Sequence, residues 1–429
     1  MPTFQVTNAT ELQSALGRAV GGDTILLAAG DYGSLNLNNK KFTAPVTVKA
    51  LSATGQVHFD GITVSNSSYL TFKGLDLGRG LSVAEPEYTK LNTVQNSANI
   101  RFVDVSIHGS LDNDPTNDGI GFYVTDSKNV YVHNAKFTEL FRGALFQRVD
   151  GVGLYNSSFE GIRSDGANFA GNDHVVIRGN TFTDFNRYGT DHADAIQFWN
   201  TGQTKGQSDI TISDNVFIQT VAGKGAQGIF MSDNETYKFR DVTIENNLMF
   251  SNDDYHGISV NNAENLRIAN NTITSASGDD KLFWILAESS TNVTVVNNVT
   301  DRLILNSNLT NLVSQGNITL ESGAYRNLLP NLVNPHTPVD LIAPGVGYQA
   351  PTQGPLSSAA SSFLSGMLGG NASQSHASTL IPNALDDLAD TGGRYAQQLS
   401  VAPLPEPIYD VYQPAPNWAG LTDHWIAHP

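Results

Sequence analysis

One short stretch gathers side chains that move protons. It reads Tyr188-Gly189-Thr190-Asp191-His192, with Asp194 two residues on. An imidazole gives or takes a proton near neutral pH, and a phenol or carboxylate can serve as its counterpart. Asp165 adds a further carboxylate, and Gln197 and Trp199 follow closely. Arg142, Arg148, Arg163, Arg178 and Arg187 fall within 46 residues of a chain that has only 24 Lys+Arg and a net charge of -17. A local basic patch of that kind would hold an anionic ligand that the global field repels. The alternative is scattered surface arginines bridging to nearby aspartates, and Arg178, inside a repeated strand, suits that best. His256, preceded by Asp253 and Asp254, either borders the same cleft or caps a turn.

Composition narrows the setting. The 429 residues contain no cysteine, which excludes a disulfide scaffold, a Cys-ligated metal and a thiol nucleophile. No apolar run approaches the roughly 18 residues of a membrane span. The acidic balance argues against nucleic acid as a partner. Neither membrane insertion nor an oligomeric state is indicated.

An internal repeat determines what positions these residues. A unit of the form Asn/Asp-Val-x-Ile-x-Asn-Asn-x-Phe recurs, as in HVVIRGNTF (174–182), DITISDNVF (209–217) and NLRIANNTI (265–273). Its fourth residue falls at 72, 102, 132, 154, 177, 212, 244, 268, 295 and 314, in steps of 19 to 35. Apolar residues alternate within it, so each unit is a strand with one buried face. A step of about 22 residues is too short for repeated strand–helix–strand crossovers and suits one rung of an all-β parallel β-helix. Asn180, Asn215, Asn247, Asn271, Asn298 and Asn317 hold the same place in successive rungs. They are expected to form a hydrogen-bonded ladder and to take the left-handed turn conformation.

A second strand precedes each unit. Its starts are Asp118-Gly-Ile, Arg142-Gly-Ala, Asp165-Gly-Ala, Asp194-Ala-Ile, Gln227-Gly-Ile and His256-Gly-Ile. The first residue is polar each time, and the fourth should point outward. Asp165 and Asp194 then open equivalent strands on adjacent rungs, about 5 Å apart. They could serve as a carboxylate pair or simply cap turns. Insertions at 183–193 and 200–208 flank this region, and solenoid insertions build one face. Trp199, outward on its strand, suits sugar stacking.

At the N-terminus, Thr10-Glu11-Leu12-Gln13 reads as a capping box, with Leu12, Leu16, Ala19 and Val20 on one helical face and Gly21-Gly22 as the stop. Such a helix would cover the open first edge. Residues 1–324 thus form the solenoid domain. Residues 325–429 form a Pro/Ala/Ser/Gly-rich tail that serves as a cap, a wrap or an export segment, with one short helix at 357–370. Asp112, Asp114 and Asp118 have the oxygen spacing of a calcium site, although Asn/Asp turns are common in solenoids. No other cofactor is implied.

The repeat and the ELQSAL…GDTILLAAGDY opening resemble the right-handed parallel β-helix proteins that act on polysaccharides, over roughly residues 8–320. That superfamily spans lyases, hydrolases, C5-epimerases and phage depolymerases. Tyr188-Gly189-Thr190-Asp191-His192 is similar to the Tyr-Gly-x-Asp-Pro-His segment of mannuronan C5-epimerases, with the proline missing and the histidine one place earlier. The resemblance implies an enzyme that cleaves or modifies an acidic, uronate-containing polysaccharide. Tyr188 and His192 would be its proton-transfer groups, with Asp191 beside them, and Arg142, Arg148, Arg163, Arg187, Gln197 and Trp199 would bind the polymer. Hydrolysis by Asp165 and Asp194, and a non-catalytic binding solenoid, are the alternatives. The N-terminus has no basic segment followed by an apolar core, which suits export without a cleaved signal, or a phage virion.

Overall fold

The computed structural model describes residues 2–52, 55–219, 225–232, 236–251, 256–275, 283–320 and 345–349. They hold 36 strands and one helix. The strands form three parallel sheets of 13, 11 and 12 members, and the chain visits the sheets in turn. A rung such as Asp194–Trp199, Gln207–Ser213 and Val216–Ile218 supplies one strand to each sheet. The expected register holds throughout the 13-stranded sheet. Phe72 pairs with Phe102, Phe102 with Val132, and the series continues through Leu154, Ile177, Ile212, Ile244, Ile268 and Val295 to Ser314.

Stacking at strand spacing puts like residues face to face in the core. Phe137, Phe159, Phe182 and Phe217 form one column, with ring centroids 4.4, 4.7 and 5.0 Å apart and planes within 10° of parallel. Phe146, Phe169 and Phe198 form another. Each ring is screened from water by its neighbours above and below.

The asparagine ladder is continuous. In each of the six asparagines but the last, Nδ2 donates to Oδ1 of the next at 2.9–3.0 Å, and the backbone N–H donates to that same oxygen. The left-handed conformation, however, belongs to the residue before each ladder position. Gly179, Asp214, Asn246, Asn270, Asn297 and Gly316 have φ between 54° and 69°. The turn needs a sharp reversal there, which leaves the ladder residue itself free to point inward.

Local corrections follow from the same geometry. The helix is Ala9–Arg18, capped by Asn8 rather than Thr10, and Asn8 Oδ1 accepts from the Glu11 N–H. Leu12, Ala15 and Leu16 are buried, whereas Val20 lies beyond the helix and is exposed. The helix ends before Gly21-Gly22, at Ala19 in an extended conformation. Asp118 sits two residues out of the expected strand register, because Ile120 rather than Asp118 pairs with Arg142. A two-residue slip keeps every side chain on its own face, so alternation does not reveal it.

From the tail, residues 345–349 are described. Tyr348 is fully buried against Val216, Ile218, Leu248, Phe250 and Val299. Its N–H donates to Thr272 Oγ1 at 2.8 Å, and Gln349 N–H donates to Asn246 Oδ1 at 2.8 Å. This segment lies along the outer face of the 12-stranded sheet. The helix expected at 357–370 lies outside the described residues.

Asn247→Ala would strand two N–H donors of Asn215 inside the turn, while Asn271 Oδ1 keeps the backbone N–H of residue 247. Buried groups left unpaired cost about 1–3 kcal/mol each. Urea unfolding should show a loss of about 3 kcal/mol. Asn36→Ala, at an exposed strand position, should stay within about 0.5 kcal/mol of wild type.

Candidate active site

The 11-stranded sheet begins, rung after rung, with a polar residue. Register aligns Arg142, Asp165, Asp194, Gln227 and His256 in one column at the leading edge. Glycine follows four of the five. A Cβ at Gly143 would lie 2.4 Å from the Gly166 carbonyl oxygen and 2.7 Å from the Phe159 ring. The missing side chain lets this edge settle onto the phenylalanine column, which sinks the polar residues below the surface.

Asp194 is the hub. Its side chain is fully buried and both oxygens are engaged. Oδ1 lies 3.1 Å from His256 Nε2, and Oδ2 accepts from Gln197 Nε2 at 3.1 Å. His192 Nδ1 stands 3.4 Å from Oδ2. Asp165, in the preceding rung, accepts the Asp194 backbone N–H at 3.0 Å and an Asn168 Nδ2–H at 3.1 Å. Arg142 Nε lies 3.4 Å from its other side. Two buried carboxylates therefore sit between a guanidinium and two imidazoles.

These surroundings push the two carboxyls apart. Burial would raise Asp194, but hydrogen bonds and charge from His192 and His256 outweigh it and hold its pKa below the usual value. Burial raises Asp165; Arg142 opposes this and the neighbouring Asp194 charge adds to it. Burial would lower His192, yet Asp194 prevails and its pKa is raised. His192 Nε2 also meets the Gln227 amide. Turning that amide over gives the protonated ring an oxygen to donate to and satisfies Gln227 Oε1, which otherwise lacks a partner.

Insertions at the corner before this sheet form a wall beside the column. Arg163, 7% exposed, staples them together. Its Nε donates to Asp191 at 2.6 Å, and Nη1 donates to Glu87 at 2.9 Å and to the Pro115 carbonyl. Its guanidinium also lies against the Phe141 and Tyr188 rings. Arg163 is thus a clamp between loops. Tyr188, 51% exposed, stands on the rim, and Arg187 is near enough for its charge to oppose a proton on His192.

The five arginines do not make one patch. Arg148 turns away at the far corner and pairs with Asp126, and Arg178 pairs with Asp214 on the 13-stranded sheet. Trp199 lies on the outer face, paired with Ala170, at the far end of its strand from Asp194. Asp112, Asp114 and Asp118 lie in a loop where each accepts local hydrogen bonds. Ser110 Oγ and Asn117 Nδ2 donate to Asp112, Thr116 to Asp114, and Ser110 N–H to Asp118. Burial lifts Asp118 to about 6.

Residues 93–273 match the family model described as a right-handed β-helix region. The chain is a right-handed parallel β-helix. No curated protein matches it. Among solved structures it is similar to an alginate lyase from Paenibacillus sp. str. FPU-7, at 13% identity and TM-score 0.46, covering 74% of this chain and 99% of that one. It is also similar to the Dettilon tailspike protein, at 13% identity and TM-score 0.48, covering 72% and 61%. A surface adhesin of Streptococcus pneumoniae gives 14% identity and TM-score 0.45, covering 72% and 89%.

Within this β-helix, His256 belongs to the centre, two rungs beyond Asp194 in the same column. Gln227, Asn168 and Glu87 join the network as well. The first two were detectable as column partners of predicted residues, whereas Glu87 comes from a loop 76 residues from its partner Arg163.

Replacing Asp194 by Asn removes the charge that raises His192 but leaves the burial that lowers it. The His192 imidazole pKa should fall, with the charge of Asp165 alone left to oppose the burial. An NMR titration of the ring nitrogens, comparing wild type with Asp194→Asn, checks the sign.

Proposed function

We propose that this protein acts on an acidic, uronate-containing polysaccharide by moving the proton at C5 of a sugar ring, as a lyase or an epimerase. The observation that carries this reading is the state of Asp194. A carboxylate with both oxygens engaged and no exposed surface orients His192 and does not face a sugar. The reactive group is then an imidazole backed by a buried anion, with 22% of its own side chain exposed. In elimination, a base takes the C5 proton, the C–H electrons form the C4–C5 double bond, and the C4–oxygen bond breaks. The departing oxygen takes a proton from an acid. A raised pKa suits His192 to the acid role, with the sugar oxygen displacing the Gln227 amide from Nε2, and Tyr188 on the rim suits the base. Arg142, part-exposed at the head of the column, suits the uronate carboxylate whose charge must be neutralised. In epimerisation the proton returns to the opposite face and the chain stays whole. Such a polymer would be met outside the cytoplasm.

Hydrolysis by Asp165 and Asp194 is the second reading. The raised pKa of Asp165 favours it, since a general acid must hold its proton. Both carboxyls would have to reach the sugar, and their side chains are 3% and 0% exposed.

Incubation with a panel of acidic bacterial and algal polysaccharides separates these readings. Ultraviolet absorbance from an unsaturated uronate, or exchange of the C5 proton with heavy water, is the expected result. New reducing ends without absorbance would establish hydrolysis instead. Binding without product would make the protein a carbohydrate-binding solenoid.

On the active polymer, His192→Ala should lower kcat by about 10²–10⁴-fold, while the circular dichroism spectrum stays unchanged. Asp165→Asn should cost less than His192→Ala; the reverse order would favour the two-carboxylate mechanism.

A further inference from the structure

A second histidine–aspartate–histidine group lies on the 12-stranded sheet, four to six rungs towards the N-terminus from Asp194. His58, Asp76 and His108 come from the strands Val57–Phe59, Asp76–Gly78 and Ser106–His108 of three successive rungs. Each projects from the outer face. His58 Nδ1 lies 2.9 Å from Asp76 Oδ2, and His108 Nε2 lies 3.3 Å from Asp76 Oδ1. One donor atom from each of the three falls within 4.8 Å of the others, and among the described residues no other trio of His, Asp or Glu does so.

A backbone carbonyl sets the tautomer of neutral His108. His108 Nδ1 lies 2.8 Å from the Gly109 carbonyl oxygen, so it carries a hydrogen. In the neutral ring, Nε2 then presents a lone pair to a carboxylate oxygen. Such a contact needs either a second ring proton or a metal cation to bridge it. His58 turns its Nδ1 towards Asp76, while its Nε2 stands 3.7 Å from Asp60 Oδ1, beyond hydrogen-bonding distance. Gln56 Nε2 donates to Asp76 Oδ2 at 2.8 Å. Imidazoles that bind a metal through one nitrogen commonly donate the other N–H to a carbonyl or carboxylate, and the bound carboxylate is itself hydrogen-bonded. His108 and Asp76 have such a partner, in the Gly109 carbonyl and the Gln56 amide.

The backbone also makes room. A Cβ at Gly78 would lie 1.9 Å from the His108 carbonyl oxygen. Glycine lets the two strands close up beneath the His108 ring.

We propose that His58 Nδ1, Asp76 and His108 Nε2 form a binding site for one divalent transition-metal ion of the zinc, cobalt or nickel class. Two imidazoles and one carboxylate favour such ions over calcium, which takes oxygen ligands. Ligands at 2.0–2.1 Å from a tetrahedral centre stand about 3.4 Å apart. The two distances to Asp76, one to each carboxylate oxygen, are near that value, and with all three donors within 4.8 Å the side chains would close in on the ion. The ion would cross-link three rungs near the N-terminal end. The site is independent of the chemistry proposed at His192.

The test uses the full chain, stripped with a chelator and dialysed at about pH 8, where a free histidine is neutral. Isothermal titration with zinc chloride should show saturable binding of one equivalent, and cobalt should give a visible d–d absorption band. Zinc should raise the melting temperature. His58→Ala, a part-exposed position, should abolish both the binding and the zinc-induced shift while melting near the wild-type temperature without metal. Gln56→Ala should weaken zinc binding about tenfold. His192→Ala should leave the stoichiometry at one. The proposal is overturned if wild type binds no equivalent of zinc, if His58→Ala binds as tightly as wild type, or if calcium competes at equal concentration.

Discussion

Backbone hydrogen bonds between successive rungs hold every residue about 4.8 Å from its counterpart in the next. Everything else in the molecule is a consequence of that spacing. Phenylalanines at equivalent positions must stack, and asparagines at equivalent positions must bond. Acidic residues at equivalent positions must face each other, whatever the cost. Asp165 and Asp194 are the one place where the column puts two buried carboxylates together. The arrangement survives because Arg142 flanks one and His192 with His256 flanks the other. A column that elsewhere serves packing here concentrates charge.

The solenoid also separates what is rigid from what is adjustable. The column residues rest on strands pinned by the phenylalanine stack. Tyr188, Arg187 and Asp191 come from corner insertions that the ladder does not reach. Arg163 bridges the two classes, because it emerges between strands and binds Asp191, Glu87 and Pro115 of three separate loops. A cation in this position orders the wall without facing the cleft, which is why a sequence-level count of arginines overstated the basic surface.

The rung structure was legible because alternation and the fourth-residue positions are local signals that the register then obeys. The entrance column was legible for the same reason, and it carried Asp165, Asp194 and His256 to their correct rungs. Asp118 was not, since a slip of two residues leaves the inside–outside pattern intact. The cap at Asn8 was missed because Thr10 satisfies the same composition rule two positions later. The trio of His58, Asp76 and His108 has no motif at all. Its members are separated by 18 and 32 residues, and only the stacking of unequal rungs brings them together.

The asparagine ladder has a direction. In every link, the side-chain and backbone N–H groups of one rung donate to the oxygen of the following rung, never the reverse. The amide dipoles therefore point the same way along the axis, and each polarises the next. During assembly, a solenoid wound as far as any rung from Asn180 to Asn298 ends in an asparagine with two buried-side donors awaiting a rung that has not yet formed. Winding towards the C-terminus relieves that deficit only by passing it on. The series closes at Asn317, whose own Nδ2 turns back to the Val295 carbonyl and the Ser314 hydroxyl. Between Asn180 and Asn317 the growing end thus has no comfortable place to stop.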